Sequence, residues 1–374
     1  MKKNRFNYLA PSICLCTSLV AIPVSAEDWT DRVTIKGFLS AVYQQTNQDD
    51  APYEGELLES GITSAGTTQG TQFGLNINAQ VNDRLTIVGQ LHSARDGEGY
   101  VTNLEWGFLS LNLNENFDLR AGRIKFPGGL VSEYVNVGYV YPWIQPPREM
   151  YSEDIGAAQA VHESFSGVSL LASTTSGDLT YSANIFTGEI AEDEVLRTDF
   201  AGITLEANWD EKVTIQAAYN QSTMETGGVI LPMDGQRHDI VQLALKIDWN
   251  NIVTYAEWAD VNMGDFAFGE AEAAYVTLGY RIGNFLPHVT VSTLEKAQKA
   301  TGGIMADRPM LPYEQTTSTL GLRWDFMPDI ALKVEVSSIE LDSIDPNVAG
   351  VGLFGEMPDD DRVTRYGLAL DAVF

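Results

Sequence analysis

Apolar and polar residues alternate with a period of two over most of this chain. Between Gln72 and Val81, every second residue is apolar, namely Phe73, Leu75, Ile77, Ala79 and Val81. This alternation is typical of a β-strand whose two faces meet different surroundings. It recurs in sixteen segments and predicts strands at 32–44, 70–82, 84–93, 100–114, 117–123, 162–174, 178–187, 198–209, 212–221, 237–249, 251–260, 273–282, 285–294, 314–326, 329–338 and 362–374.

The connections between these strands fall into two classes that alternate along the chain. Seven are short turns rich in Asn, Asp and Gly, the residues that tight hairpins favour, at 82–83, 115–116, 176–177, 210–211, 250–251, 283–284 and 327–328. Eight are longer, at 45–69, 94–99, 124–161, 188–197, 222–236, 261–272, 295–313 and 339–361. These fifteen connections are the number that sixteen up-and-down strands require, and pairing of the last strand with the first would close a ring.

Such a ring with apolar outer faces predicts a transmembrane β-barrel, because bilayer hydrocarbon cannot satisfy an open sheet edge. Trp209, Trp249, Trp324 and Phe326 flank short turns, where a barrel carries an interfacial girdle of aromatic residues. A soluble β-sandwich is the alternative that alternation alone would allow. A sandwich, however, has no reason to alternate short and long connections strictly.

The N-terminus has the pattern of a secretory signal peptide. Basic residues at positions 2, 3 and 5 precede an apolar stretch from Leu9 to Val24, and Val24-Ser25-Ala26 resembles a cleavage site. We therefore predict a signal peptide at 1–26 and a mature chain at 27–374; the alternative is an uncleaved anchor helix. Cleavage would remove both cysteines, at positions 14 and 16, and change the net charge from −28 to −31. This acidity argues against nucleic acid as a partner.

Two segments resemble the sixteen-stranded trimeric porins of Gram-negative outer membranes. The last strand has Tyr366, Leu368 and Leu370 at alternate positions and ends in Phe374, which resembles the outer-membrane assembly signal. The segment 119–123, Leu-Arg-Ala-Gly-Arg, resembles the end of the fifth strand that leads into the third loop of these porins. The third long connection is also the longest, with 38 residues, although its Phe-Pro-Gly-Gly at 126–129 differs from the Pro-Glu-Phe-Gly-Gly of general-diffusion porins.

The resemblance implies an all-β fold, a 16-stranded antiparallel transmembrane β-barrel with an inward-folded third loop at 124–161 that constricts the pore. It also implies a bacterial outer-membrane location, a homotrimer, contact with lipid and lipopolysaccharide, and insertion by the barrel-assembly machinery. The expected function is passive diffusion of small hydrophilic solutes and ions, with a weak cation preference from the acidic chain. The alternative is a substrate-selective porin that binds a sugar or an anion at loop 124–161.

Candidate site residues follow from the expected lumen face and from the third loop. In these porins a basic cluster on the wall faces acids on the loop, so we expect the pore to be lined by Lys36, Arg84, Arg120, Arg123, Glu133, Arg148, Glu149, Glu153 and Asp154. Residues 137–147 add Tyr139, Tyr141 and Trp143 among three prolines. These aromatic rings either form a rigid platform for solutes at the constriction, or pack the loop against the inner wall or a neighbouring subunit.

We expect no enzymatic activity and no cofactor. The chain lacks the His-Glu-x-x-His, Gly-x-Ser-x-Gly and phosphate-loop patterns. The enzymatic alternative is a hydrolase with a Ser/His pair outside the barrel. Acidic residues crowd the first, fourth and eighth long connections and could take Ca²⁺ or Mg²⁺ through oxygen ligands, although a solvated acidic surface is the simpler interpretation. A receptor or adhesin role for these loops is a further alternative.

Overall fold

A computed structural model describes residues 32–49, 53–56, 60–68, 70–96, 99–151, 164–192, 195–225, 234–262, 270–297, 313–341, 353–354, 358, 360 and 362–374. Sixteen of its strands form one closed antiparallel barrel. They are β1 (Val33–Thr46), β4 (Gln72–Gln80), β5 (Leu85–Asp96), β6 (Gly99–Asn114), β7 (Phe117–Lys125), β8 (Ser164–Ser176), β9 (Leu179–Glu192), β10 (Val195–Trp209), β11 (Val213–Glu225), β12 (Gln236–Trp249), β13 (Ile252–Asn262), β14 (Glu270–Tyr280), β15 (Phe285–Ala297), β16 (Tyr313–Met327), β17 (Ile330–Leu341) and β18 (Arg362–Val373). A separate hairpin comprises β2 (Tyr53–Glu56) and β3 (Ser60–Ile62).

The last strand closes the barrel against the first. β18 pairs with β1 in a continuous register from Phe38 opposite Val373 to Thr46 opposite Arg365. At the end of this seam the backbones of Gly37 and Phe374 exchange two hydrogen bonds, of 2.8 and 3.0 Å. The Phe374 ring lies on Gly37, where an added Cβ would be 2.2 Å from the ring. The C-terminal aromatic residue therefore packs on a position that only glycine can occupy without displacing it.

The polarity of the barrel wall is the reverse of that of a soluble protein. Large apolar side chains are exposed on the outer face along the whole circumference, including Ile35, Leu104, Ile185, Leu243, Leu278 and Leu320. Polar side chains are buried on the inner face, including Gln44, Ser169, Thr204, Gln242, Thr277, Thr290 and Ser337. An exposed apolar belt of this extent is stable only against lipid, so the fold is a transmembrane β-barrel.

Two of the short turns have positive φ at both of their central residues. Asp210 and Glu211, and likewise Asn250 and Asn251, have positive φ at both turn positions, between 49° and 70°. This is the requirement of the two-residue hairpin turns that match strand twist. The turn expected at 327–328 lies one residue later, because β16 continues to Met327 and Asp329 has a φ of 60°.

All sixteen predicted strands are confirmed, with ends that differ by five residues or fewer. The hairpin β2–β3 was not predicted. Its residues Tyr53 and Ile62 pack with Phe354, with the C-terminal end of β17 and with the N-terminal end of β18. Among the described residues, no helix is long and apolar enough to span a membrane. The predicted signal peptide at 1–26, Glu153 and Asp154 lie outside the described residues.

Candidate functional site

The bore of the barrel contains residues 126–151, the described part of the third long connection. This crossing segment has two 3-10 turns, Ser132–Tyr134 and Gly138–Val140, and ends in a short helix, α1 (Arg148–Tyr151). Its side chains pack against residues of the inner barrel face, which include Ala244, Tyr255 and Tyr275. The segment is therefore in contact with the wall inside the ring of strands.

The segment crosses the bore between residues 130 and 136. The amide of Leu130 donates to Oε2 of Glu257 on β13 at 3.0 Å. Six residues later, the carbonyl of Asn136 accepts a 2.8 Å bond from Gln72 on β4, and the Asn136 side chain donates to Glu105 on β6 at 3.0 Å. In the ring of sixteen strands, β13 stands opposite β5, which lies between β4 and β6. This stretch thus divides the lumen into two sectors.

One sector, bounded by β14–β18 and β1, is filled by the rest of the segment. Trp143 is 2% exposed, and its Nε1 lies 3.0 Å from the hydroxyls of both Thr277 and Thr290. Its ring packs edge-on against Tyr255 and Tyr275, with centroid distances of 4.8 and 5.6 Å. Of the two interpretations of the aromatic stretch, packing against the inner wall is the one that fits Trp143 and the equally buried Tyr141, because neither offers a ring face to the lumen.

Buried carboxylates attach this half of the segment to the wall. Glu149 is 1% exposed and accepts hydrogen bonds from Ser292 at 2.7 Å, from Gln315 at 2.7 Å and from Thr317. Glu335 of β17 accepts the amide of Ile144 at 2.9 Å. Hydrogen bonds from several donors offset the free-energy cost of removing a carboxylate from water. Glu149 was expected to line the pore, and the structure places it in this packed interface instead.

A buried ion pair lies beneath the second 3-10 turn. Lys333 and Asp371 are both inaccessible to solvent and are joined by a 2.8 Å contact. The Lys333 ammonium also donates to the carbonyls of Gly138 and Trp143, each at 2.5 Å. A Cβ at Gly138 would lie 2.3 Å from the Asp371 carboxylate and 2.7 Å from Ser40 Oγ. The absence of a side chain at Gly138 is what lets the backbone approach this pair.

The other sector remains open and forms a cavity of about 360 Å³ against β7–β12. Four charged side chains line it: Arg120 of β7, Glu133 of the crossing segment, Glu206 of β10 and Lys246 of β12. Hydroxyl and amide groups complete the wall, from Ser182, Asn184, Thr204, Asn208, Thr214 and Gln216. The lining is polar and contains charges of both signs, so it is suited to hydrated solutes.

None of these four charged groups forms an ion pair or hydrogen bond with another described residue. The two cations lie instead near aromatic rings: the Arg120 guanidinium is 5.4 Å from the centre of the Phe108 ring, and the Lys246 ammonium is 5.4 Å from that of Tyr255. The Glu133 side chain is exposed to the lumen, but the barrel wall surrounds it. This enclosure disfavours the charged carboxylate and raises the pKa of Glu133, although the positive charges of Arg120 and Lys125 act to lower it.

The structure brings together only part of the expected charge cluster. Arg120 and Glu133 line the same cavity. Lys36 lies toward the end of the barrel that carries the short turns. It lines a different cavity, together with Asn76, Gln90, Val137 and Asp329. Arg84 is exposed beside the turn at Asn82.

Three further candidates also lie away from the open sector. Arg123 pairs in register with Gly107 and Ser166, two residues after the outward-facing Ala121, so its strand position belongs to the outer face. Arg148 donates to the carbonyl of Tyr151 at 3.3 Å. Tyr139 is half-buried, with the Arg323 guanidinium 4.8 Å from its ring centre.

A buried pair of Glu105 and Lys125 was missed by the sequence analysis. Their side chains form an ion pair, and Glu105 also accepts bonds from Gln90 at 2.5 Å and from Asn136 at 3.0 Å. Glu105 is the extra residue of a bulge in the β5–β6 pairing, where Gln90 pairs with Trp106 and Leu91 with Leu104. The break in alternation between Leu104 and Leu109 was the available signal for this bulge.

Within the described ranges, no three His, Cys, Asp or Glu side chains are grouped so that they could hold a metal ion. Most of the acidic residues considered for Ca²⁺ or Mg²⁺ lie outside those ranges, or their side chains do. Ion binding by the long loops is therefore still a prediction.

Closed sixteen-stranded barrels with a polar, partly filled bore are the architecture of outer-membrane porins, and this chain has that fold. It aligns with the anion-selective porin from Comamonas acidovorans at a TM-score of 0.61 and 12% identity, over 91% of this chain and 99% of that one. It aligns with Salmonella typhi OmpF in complex with daunomycin at 0.60 and 14%, and with the outer membrane channel DcaP of Acinetobacter baumannii at 0.57 and 13%, in both cases over 91% of this chain and 97% of the other.

These identities are low, so the likeness concerns the fold. No protein-family model matches the sequence, and no curated protein matches it.

Proposed function

We propose that the protein is a bacterial outer-membrane porin that passes small hydrophilic solutes and ions by diffusion, without catalysis and without a cofactor. The observation that carries this proposal is the open sector of the bore, a polar cavity of about 360 Å³ lined by four charged side chains without partners among the described residues. A packed core would not leave these charges unpaired, because burying an unpaired ion costs on the order of several kcal/mol.

In this mechanism the crossing segment sets the size limit and the charges set the ion preference. Solutes pass between the segment and β7–β12, while the sector against β14–β18 is blocked by packed side chains. The two cations and two anions that line the cavity give it no net charge. The weak cation preference that we propose therefore arises from the net negative charge of the whole chain. Because one structural neighbour is an anion-selective porin, this preference is the first property to measure.

The test is the single-channel conductance and reversal potential of the refolded chain 27–374 in a planar bilayer under a salt gradient. We expect stepwise, persistently open channels with a reversal potential on the cation side. In the double variant Glu133→Gln/Glu206→Gln, this potential should move toward anions. Glu115→Gln, in a short turn outside the cavity, is the matched control and should leave it unchanged. Absence of channels would refute the porin proposal, and an anion-side potential in the unaltered chain would refute the cation preference.

We further propose a homotrimer in contact with lipid and lipopolysaccharide. The support is the exposed apolar outer face and a trimeric form among the structural neighbours, OmpT of Vibrio cholerae, at a TM-score of 0.56 and 11% identity. Native mass measurement in detergent, before and after heating, tests the subunit number: three copies that dissociate on heating are expected, and a monomer under all mild conditions would contradict the proposal.

A further inference from the structure

We infer that the first and eighth long connections together hold the crossing segment in place through Gln315, so that the width of the channel depends on contacts at the cell surface. Four residues of these connections, Tyr53, Ile62, Leu353 and Phe354, pack together and form a cap. This inference rests on the proposed channel function, and it adds a means by which the extracellular side regulates the same bore.

The cap is a packed unit made from two distant parts of the chain. Tyr53 and Phe354 form an antiparallel bridge, and their rings meet edge to face with centroids 5.0 Å apart. The four cap residues are each 3% exposed or less. They pack on the ends of β17 and β18 that carry the long connections, and in outer-membrane barrels these ends face the cell exterior. The two loops therefore form one body at the mouth of the barrel.

The cap lies over the filled sector of the bore. Lys333 and Glu335 of β17 bond to backbone groups of the crossing segment. Two and three turns of the pleat further along, Ile339 and Leu341 pack with the cap. Residues at alternate positions of a strand share a face, so all four side chains lie on the inner wall. The same strand thus contacts the crossing segment below and the cap above it, on the extracellular side.

The side chain of Gln315, on β16, joins the cap to the crossing segment. It is inaccessible to solvent. Its Nε2 donates to Oε1 of Glu149 in α1 at 2.7 Å, and its Oε1 accepts the amide of Leu353 at 3.0 Å. Both ends of one buried amide are therefore in use, one by each partner. When the cap is displaced, the Gln315 oxygen loses its donor, and rotation of the amide toward a new donor removes the bond to Glu149.

This loss loosens the crossing segment without releasing it. Glu149 keeps Ser292 and Thr317 as donors after the Gln315 bond is broken. We therefore expect the segment to leave its position on the wall more often but to stay inside the bore. The fraction of time that a channel spends at an altered conductance level should rise about tenfold, the change in an equilibrium constant that corresponds to one hydrogen bond to a charged group.

The experiment is a reversible disulfide in the cap. Tyr53→Cys/Phe354→Cys removes the two rings, and residues directly opposite in an antiparallel pair are close enough to form a disulfide. The natural cysteines are at positions 14 and 16, so the refolded chain 27–374 contains no others. Single channels are recorded in a planar bilayer with the disulfide formed, after a membrane-impermeant reductant is added, and after reoxidation. We expect quiet channels when oxidised, the altered level when reduced, and recovery on reoxidation.

Two further variants, made in the same cysteine background, test the role of Gln315. Gln315→Met keeps the length of the side chain but removes its donor and acceptor, so the altered level should be frequent in both redox states. Gln242→Met is the matched control, because Gln242 is also buried on the inner face and its amide has no hydrogen-bond partner among the described residues. It should respond to reduction as the cysteine variant does. Heat-dependent migration in gels checks that each variant is a folded barrel.

Hydrogen exchange of residues 126–151 in detergent micelles gives a second measurement that requires no current. Protection of this segment should fall on reduction of the cysteine variant and should be equally low in both redox states when Gln315→Met is present. If the unaltered chain forms no channels, the porin proposal is refuted, and hydrogen exchange still shows whether the cap holds the segment.

The other outcomes bear on the inference itself. If reduction leaves the current unchanged, the width of the channel does not depend on the cap and the inference is overturned. If the response to reduction persists with Gln315→Met, the assignment to Gln315 is overturned. A cysteine pair that forms no disulfide under oxidation would contradict the pairing of Tyr53 with Phe354, on which the cap depends.

Discussion

The backbone amide of Leu130 donates to the carboxylate of Glu257, although 127 residues separate the two in the chain. The same carboxylate accepts the hydroxyls of Tyr151 and, at 2.5 Å, Tyr275. One glutamate of β13 therefore joins both ends of the crossing segment to the wall. The position of the crossing segment therefore depends on a contact that the local sequence of residues 126–151 does not contain.

Substitution Glu257→Gln should loosen the crossing segment. The amide keeps the size of the carboxylate but replaces one acceptor oxygen by a donor, so at least one of the three bonds is lost. We expect a loss of about 1–3 kcal/mol in the free energy of unfolding, as for hydrogen bonds to charged groups, and more current noise in single channels. Glu314→Gln, at an exposed position of β16, serves as the control. Quiet channels and an unchanged denaturant midpoint in E257Q would contradict this role.

Substitution Gly138→Ala should displace the segment from the Lys333–Asp371 pair. The new methyl group would lie 2.3 Å from the Asp371 carboxylate, so the turn must shift and the Lys333 bond to the Gly138 carbonyl must lengthen. Overpacking of this kind costs about 1–3 kcal/mol, measured by urea titration in detergent micelles. Gly99→Ala is a suitable control because its Cβ would meet nothing within 4 Å. Equal stability of the two variants would be evidence against the close approach.

Trp143 allows its hydrogen bonds to be separated from its packing. Trp143→Phe removes the Nε1 donor but keeps an aromatic ring between Tyr255 and Tyr275, so we expect a loss of about 1 kcal/mol. Trp143→Ala also leaves a cavity, and we expect about 3–5 kcal/mol. Thermal unfolding of both variants gives the comparison, with Trp249→Phe on the exposed outer face as the control. If the two losses were the same, packing would not be the larger contribution.

The ion preference of the channel should depend on pH through Glu133. Its pKa is raised by enclosure, so its negative charge is lost as pH falls through a value above the ordinary glutamate range. The reversal potential should accordingly move away from the cation side on acidification before exposed glutamates titrate. Glu133→Gln should remove this early part of the titration, while Glu115→Gln should retain it. A reversal potential with the same pH dependence in the unaltered chain and in E133Q would exclude Glu133 as the titrating group.

The strands were predictable because each lipid-facing strand shows the alternation of apolar and polar residues within its own sequence, and the tight turns contain Asn, Asp and Gly. The arrangement of side chains inside the barrel was not predictable in this way. Which charges share a cavity depends on the path of residues 126–151, and that path is set by contacts such as those of Glu149 with Gln315 and Thr317, which local sequence does not contain. Alternation itself separates Arg120 from Arg123, since positions three apart on a strand lie on opposite faces. Grouping the two by resemblance obscured this.

The crossing segment has a consequence for the order of folding. It lies between β7 and β8, but many of its hydrogen-bond partners belong to β13–β18, which come much later in the chain. Contacts this distant in sequence form only after the entropy of closing the intervening chain has been lost. The segment therefore cannot complete its bonds until the later strands have paired, and the passage through the barrel acquires its final width as one of the last steps of assembly.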